Sequence, residues 1–161
     1  MLQNLPAEIT LRPINDADLG FLCDLYASTR EYEMRFVPWS DVEKTAFLES
    51  QFNAQHQYYH QQYPDAEFSL ILQDGQPIGR IYIQRREDEY RLMDIALMPA
   101  SRNQGLGSQF IRNLLAKATA EGVAVRLHVE NYNPAYQLYV RLGFQVVAQN
   151  GVYTLMEWLP Q

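Results

Sequence analysis

Hydrophobic and polar positions repeat along this chain with two different periods, and the changes of period mark the predicted elements. Alternation at every second residue predicts a half-buried strand, whereas apolar residues three and four positions apart predict a helix with one buried face. Leu19, Leu22 and Tyr26 have the helical spacing, and Ser40 with Glu43 forms a capping box that begins a second helix. The first half is therefore predicted to contain a strand over 8–13, a helix from Asn15 or Asp16 to about Thr29, a linker over 30–39 and a helix from 40 to about 62.

The second half is predicted to consist mainly of strands separated by short turns. Asp74-Gly75 is a hairpin turn signal, and Gln149-Asn150-Gly151 is another. Asn133 followed by proline predicts the start of a short helix, which Gly143 ends. The other predicted elements are strands over 67–73, 77–86 and 90–98, a helix from about 105 to 120, a strand over 123–130, and a hairpin over 144–148 and 152–158. This order predicts a single α/β domain over 1–161, with a mixed sheet flanked by helices.

The glycine-rich turn that follows the 90–98 strand is the most informative segment. Arg102-Asn103-Gln104-Gly105-Leu106-Gly107-Ser108 leads directly into an amphipathic helix. The first amides of a helix are unpaired and its dipole adds partial positive charge, so the turn predicts a binding site for phosphate. Gly105 and Gly107 have no Cβ atom, which allows a phosphate to approach the backbone closely.

Two common phosphate-binding motifs do not fit this turn. The dinucleotide-binding motif requires a third glycine at the position that Phe110 occupies. The Walker motif requires a lysine after its last glycine, whereas Ser108 follows Gly107 here. The ligand is therefore predicted to carry phosphate and to be bound by neither of these motifs.

Three segments, in order and at suitable spacing, carry a resemblance to a known family. Arg102-x-x-Gly105-x-Gly107 resembles the pyrophosphate loop of the GCN5-related N-acetyltransferases (GNAT). Ala96-Leu97-Met98-Pro99 before it and Asn133-Pro134-Ala135-x-x-Leu138-Tyr139-x-x-Leu142-Gly143-Phe144 after it extend the resemblance over about residues 92–146. The resemblance implies an α/β GNAT fold, with a mixed sheet of six to seven strands and about four flanking helices. It also implies direct transfer of an acetyl group from acetyl-CoA to a primary amine of a small molecule or peptide.

The resemblance also assigns residues to the cofactor, which the family binds in a gap where two neighbouring strands separate. Backbone groups at Leu97 and Met98 are expected to pair with the pantetheine arm, and Arg102 is expected to supply charge to the pyrophosphate. Asn133 is the expected cofactor-contacting asparagine, although it lies one residue closer to Tyr139 than is usual in the family. The backbone amides expected to hold the pyrophosphate are those of Asn103, Gln104, Gly105, Leu106, Gly107 and Ser108.

Tyr139 is implied to be the general acid, because the thiolate that leaves in acyl transfer needs a proton or a hydrogen bond. Tyr139 lies on the apolar stripe of its helix, so its side chain points toward the protein. A tyrosine that only packs in the core would have the same position. The acceptor amine needs a base or a relay, and His128 on the polar face of the 123–130 strand has an ordinary pKa near neutrality. Asp94 and Glu130 are rivals for that role, and a half-exposed histidine on a strand is often inert.

The linker between the first two helices is rich in aromatic and charged residues and corresponds to the acceptor wall of the family. Tyr32 and Trp39 are candidates to stack on the acceptor, and Glu33 is a candidate to pair with its ammonium group. These residues could equally pack one helix against the other. No metal is predicted, because His56 and His60 share a helix face without a third ligand.

Charge is distributed unevenly between the two parts of the chain. The net charge of −6 argues against nucleic acid as the main partner. Residues 1–100 carry eight more acidic than basic side chains, whereas residues 101–161 carry two more basic than acidic ones. The phosphate-binding part is therefore the positive one, and the other part would favour a cationic molecule.

Composition also limits the class of protein. Cys23 is the single cysteine, which excludes an internal disulfide and fits a reducing compartment. No apolar run approaches the length of a membrane span, so we expect a cytoplasmic protein without a membrane partner. We expect a monomer, or a homodimer formed through the final hairpin. Two alternatives to an enzyme remain: a non-catalytic module that binds acyl-CoA, and a protein-interaction domain.

Overall fold

The structure, a computed structural model, describes residues 8–161, so residues 1–7 of the predicted domain lie outside the described part. The strands in that part are β1 (Ile9–Pro13), β2 (Glu67–Gln73), β3 (Gln76–Arg85), β4 (Glu89–Leu97), β5 (Ala124–Glu130), β6 (Gln145–Asn150) and β7 (Tyr153–Trp158). The α-helices are α1 (Leu19–Thr29), α2 (Glu31–Met34), α3 (Asp41–Gln62), α4 (Leu106–Glu121) and α5 (Ala135–Arg141). Short 3-10 turns lie before α1, at Asp16–Asp18, and before α4, at Pro99–Ser101.

The strands form one mixed sheet in the order β1-β2-β3-β4-β5-β7-β6. All neighbouring strands are antiparallel except β4 and β5, which are parallel because α4 forms the crossover between them. The predicted mixed sheet flanked by helices is confirmed, with seven strands in the described part of the chain.

A hydrophobic core lies on each face of the sheet, because successive strand residues point to opposite faces. On one face, α4 and α5 pack against the central strands, and Tyr139 of α5 belongs to that core. The strand residues in this core include Tyr90, Leu92, Val125, Leu127 and Val129. On the other face, α1 and α3 contribute Leu22, Tyr26 and Phe52, which pack with Leu70 of β2.

β4 and β5 separate part-way along their length and open a fork in the sheet. Their parallel pairing covers only Glu89–Leu92 and Ala124–Leu127, whereas β3 stays paired with β4 as far as Leu97. Met93 is an extra residue in β4, where the register with β3 shifts by one. A bulge bends its strand, and this bulge lies where the pairing with β5 ends.

The predicted linker over 30–39 differs from the structure, because its first part forms the short helix α2. This raises the number of α-helices in residues 8–161 to five, against the expected four or so. The predicted cap at Ser40 is confirmed: its side chain accepts from the Glu43 amide, and the Glu43 carboxylate accepts from the Ser40 amide. Within the described residues, no helix is both long enough and apolar enough to cross a membrane.

Candidate active site

The turn that precedes α4 presents a series of free backbone amides. None of the six amides from Asn103 to Ser108 has an acceptor within residues 8–161. The first amide of α4 that is bonded is that of Gln109, which donates to the Gly105 carbonyl at 3.0 Å. Free amides at the start of a 16-residue helix favour the binding of an anion, because they add to the positive end of its dipole.

The conformation of the turn leaves this site open. Asn103 and Gly105 have positive φ angles of 61° and 83°, which directs consecutive amides toward one side. A Cβ atom placed on Gly105 or Gly107 would meet no atom within 4 Å. Leu106 is buried in the core beneath α4 and anchors the turn there. The predicted pyrophosphate loop therefore has both the donors and the space that a diphosphate needs.

The backbone groups of Leu97 and Met98, the two predicted pantetheine contacts, point in different directions at the end of β4. The Met98 amide donates to the Ile78 carbonyl at 2.8 Å, and the Met98 carbonyl accepts from the Ser101 amide at 2.9 Å. Both backbone groups of Met98 thus have a partner within the protein, and its contact with the pantetheine arm stays a prediction. Since backbone groups alternate in direction along a strand, those of Leu97 point away from β3 and toward the fork.

Arg102 lies across the end of β4. Its Nε donates to the Leu97 carbonyl at 2.9 Å, and its Nη2 donates to the Ser28 hydroxyl of α1 at 3.1 Å. The guanidinium therefore ties the turn to α1 and β4 and brings its positive charge to the end of the fork. Gln104 stabilises the turn in a similar way, because its side-chain amide donates to the Ala100 carbonyl at 3.0 Å.

Asn133 caps the start of α5, as its position before a proline predicted. Its Oδ1 accepts from the Ala135 amide at 2.9 Å, and its carbonyl accepts from the Tyr136 amide at 2.9 Å. Asn131, the other asparagine near this helix, instead donates to the Gly151 carbonyl and accepts from the Thr154 hydroxyl. The side-chain oxygen of Asn133 is thus engaged with its own helix, and its exposed amide nitrogen is the group left for a ligand.

Tyr139 is buried against Phe144, with the two ring centroids 5.5 Å apart. Its hydroxyl makes no hydrogen bond within residues 8–161. The hydroxyl is also not fully enclosed. In the same range, Arg30 Nε is the one side-chain polar atom that is both fully enclosed and without a hydrogen-bond partner. Burial and, secondly, the Asp94 carboxylate raise the pKa of Tyr139 above its usual value. The phenol therefore stays protonated and keeps its hydroxyl available to a ligand.

His128 is exposed on the opposite face of the sheet from Tyr139. Its neighbours Leu127 and Val129 point into the core beneath α4, so His128 points to the face that carries α1 and α3. Its Nδ1 lies 3.5 Å from a guanidinium nitrogen of Arg91. Partial burial and then the charge of Arg91 lower the pKa of His128 below its ordinary value of 6.5. The imidazole is therefore neutral at pH 7 and able to accept a proton.

Asp94, a predicted rival of His128, lies in β4 directly after the bulge residue Met93. Its Oδ2 accepts from Nε of Arg80 at 2.5 Å. Arg80 is a functional candidate that the sequence analysis missed. The available signal was a charged residue amid the apolar positions of β3, where the pattern requires inward-facing side chains.

The predicted acceptor wall lies near the fork but is arranged differently from expectation. Glu33 forms an ion pair with Nη1 of Arg30 at 3.3 Å, and the same nitrogen lies 3.2 Å from the Glu130 carboxylate. This shared contact connects α2 to the end of β5. Tyr32 and Trp39 are exposed at their surface, and each packs edge-on against another aromatic ring, at Phe36 and Phe47 respectively.

A groove of about 380 Å³ lies between α1, α2 and α3. Glu31, Met34 and Arg35 line it from α2 and its C-terminus, whereas Tyr32, Glu33 and Trp39 do not. Ser28, the hydroxyl partner of Arg102, lies on the α1 side of the groove. No group of three His, Cys, Asp or Glu side chains in the described range lies close enough to hold a metal ion.

Comparison with known proteins agrees with this arrangement. The model of the acetyltransferase (GNAT) family matches residues 11–144. The chain is similar to the PaiA N-acetyltransferase from Thermoplasma acidophilum, solved in complex with coenzyme A. That likeness has 18% identity and a TM-score of 0.71, and it covers 94% of this chain and 99% of that one. The ribosomal-protein-S18-alanine N-acetyltransferase from Escherichia coli shares 22% identity over 96% of both chains, with a TM-score of 0.61.

The family match extends over most of the chain and includes both the open turn and Tyr139. The fold of the solved neighbours agrees with it, since they too are acetyltransferases by their names. This chain belongs to the GNAT acetyltransferase family.

Proposed function

We propose that this chain is an N-acetyltransferase that moves an acetyl group from acetyl-CoA to a primary amine of a small molecule or peptide. The observation that carries the proposal is the set of six free amides at the start of α4, beside the fork between β4 and β5. These amides hold the pyrophosphate, and the charge of Arg102 supports them. The backbone of Leu97, which faces the fork, pairs with the pantetheine arm as an added strand would.

Direct transfer in a ternary complex then requires three contributions from the protein. The fork orients the two substrates, and backbone amides of β4 donate to the thioester carbonyl as charge develops on its oxygen. The acceptor nitrogen bonds to the acetyl carbon and gives a proton to neutral His128. Tyr139 gives a proton to the sulfur as the carbon–sulfur bond breaks, and the proton held by His128 returns to the phenolate through solvent. The net result is an amide, free coenzyme A and a restored enzyme.

Release of free thiol from acetyl-CoA tests this proposal. The acceptors are alkyl monoamines, alkyl diamines, amino acids and short peptides with a free N-terminus. The wild type is expected to release thiol and to form the acetylated product with at least one of them. If acetyl-CoA binds and no acceptor is acetylated, the chain is a non-catalytic acyl-CoA-binding module instead.

The variant Tyr139→Phe tests the role of the phenol. Loss of a general acid slows acyl transfer by about 100-fold or more, and kcat is expected to fall by that factor. The affinity for acetyl-CoA, measured by calorimetry, should stay within about twofold, because the ring that packs against Phe144 remains. Tyr153→Phe, at a half-exposed tyrosine of β7, is the matched control and should leave kcat unchanged. Unchanged turnover in Tyr139→Phe would remove the proposed acid.

A further inference from the structure

A buried arginine lies behind the fork and holds one carboxylate in a fixed position. Only 3% of the surface of Arg80 is exposed, and its guanidinium packs over the ring of Tyr82 at 4.7 Å from the centroid. Its Nη2 donates to the side-chain oxygen of Gln55 in α3 at 2.9 Å, and its Nε donates to Oδ2 of Asp94 at 2.5 Å. Because α3, β3 and β4 all hold this group, the orientation of the carboxylate is set by the fold.

The two oxygens of Asp94 have different surroundings. Oδ2 is bonded to Arg80, whereas Oδ1 forms no hydrogen bond with any residue in 8–161. The side chain of Asp94 is 27% exposed, against 4% for that of Arg80. A carboxylate can accept several hydrogen bonds, so Oδ1 is free to accept one from outside the protein. Arg80 thus fixes the carboxylate from the protein side, and Oδ1 is left for a ligand.

This open oxygen lies at the place where the proposed chemistry occurs. Asp94 follows the bulge at Met93, which is where β4 leaves β5. His128 is the first residue of β5 beyond the last paired position and points to the same face as Asp94, which carries α1 and α3. The charge of the Asp94 carboxylate also acts on the Tyr139 phenol and helps to raise its pKa. The carboxylate therefore lies at the fork, on the same face of the sheet as the proposed proton acceptor.

We propose that Oδ1 of Asp94 binds the protonated amino group of the acceptor at the fork, with Arg80 as the positioning residue. The inference rests on the proposed acetyl transfer and narrows its acceptors to amines that are cationic in solution. A charge-assisted hydrogen bond to a carboxylate is stronger than a neutral one, so neutral aromatic amines and alcohols bind less well. The bound ammonium loses one proton to solvent, its nitrogen attacks the acetyl carbon, and the second proton passes to His128 as described above.

The variant Asp94→Asn tests this inference against the best acceptor amine that the thiol-release assay identifies. It keeps the shape of the side chain and removes the charge. We expect kcat/KM for that amine to fall by about 10- to 100-fold, chiefly through a higher KM, with unchanged affinity for acetyl-CoA. Asp88→Asn is the matched control, because Asp88 is 78% exposed and lies at the other end of β4, where β4 and β5 are still paired. It should leave kcat/KM unchanged.

Two further variants separate a binding role from a folding role. Asp94→Glu keeps the charge beside Arg80 but moves the oxygen by one methylene, so kcat/KM for the amine should again fall while thermal unfolding stays close to wild type. Arg80→Lys keeps a positive charge without the planar guanidinium, and it should raise KM for the amine without changing the affinity for acetyl-CoA.

The outcomes distinguish this inference from the proposed function. If the wild type acetylates a cationic amine and either Asp94 variant retains its kcat/KM while folded, the docking role of Asp94 is wrong and the acetyltransferase remains. Equal kcat/KM of the wild type for benzylamine, which is cationic, and aniline, which is neutral, would contradict the inference in the same way. If the wild type acetylates no amine, both the proposed function and this inference fail.

Discussion

Tyr139 and His128 have pKa values that are shifted in opposite senses, and each shift suits the proposed role of its residue. Burial raises the pKa of the Tyr139 phenol, with a smaller contribution from the Asp94 carboxylate. Partial burial and nearby arginines lower the pKa of His128. A proton donor with a raised pKa stays protonated, and a proton acceptor with a lowered pKa stays neutral, so both groups are in the required state near pH 7.

The pH dependence of kcat follows from these directions. His128 is protonated and inactive below its lowered pKa, so the acid limb should have its midpoint below pH 6.5. Tyr139 ionises only above its raised pKa, so no basic limb is expected below about pH 10. The measurement is kcat between pH 5 and 10 at saturating concentrations of both substrates. A basic limb centred below about pH 9 would contradict the proposed donor, and an unchanged acid limb in His128→Gln would contradict the proposed acceptor.

At the residue scale, the sequence motif located Tyr139 and the glycine turn, because these depend on spacing within one short segment. It did not locate Arg80, whose pairing with Asp94 depends on the register of two strands and on the position of α3. The motif did not show the backbone partners of Met98 for the same reason. The direction of a backbone amide alternates along a strand, and only the register shows that Met98 donates to Ile78.

At the element scale, the bulge in β4 and the start of α4 together build the site. The bulge at Met93 separates β4 from β5, and the turn before α4 places free amides beside the opening. The largely apolar segment that ends at Pro99 predicted a buried strand but not the bulge, because one extra apolar residue does not change the character of the segment. The linker after α1 was also only partly predicted. One turn of helix formed over Glu31–Met34, with a buried methionine that ties it to the core.

A substitution in the turn before α4 tests whether this turn binds the pyrophosphate of acetyl-CoA. Gly107 has a φ angle outside the positive range and open space around it, so Gly107→Glu can be accommodated without strain. Its carboxylate would repel the pyrophosphate, and the dissociation constant for acetyl-CoA, measured by calorimetry, should rise by at least about 10-fold. Gly20→Glu is the control, because Gly20 is an exposed helical glycine of α1 with equally open surroundings. Equal affinities in the two variants would show that the turn does not bind the diphosphate.

At the scale of the whole molecule, one sheet separates two helical layers and carries the site at its central fork. The order of elements and the mixed sheet were predicted from the pattern, because each element has its own period and its own caps. The assignment of each helix to a face was not available from the pattern, since it depends on how the crossovers pass over the sheet. That arrangement brings Tyr139 of α5 to the fork from one face of the sheet, while the Arg80–Asp94 pair of β3 and β4 lies on the other face.

The central claim is that the free amides between Asn103 and Ser108 bind the pyrophosphate of acetyl-CoA. Titration of ¹⁵N-labelled protein with coenzyme A, monitored by amide NMR, tests it most directly, because each backbone amide gives its own signal. The account predicts that these six signals shift strongly on saturation and that the amide of Gly122, at the opposite end of the 16-residue helix α4, stays near its free position. Saturable binding of coenzyme A that leaves the six signals unmoved would contradict it.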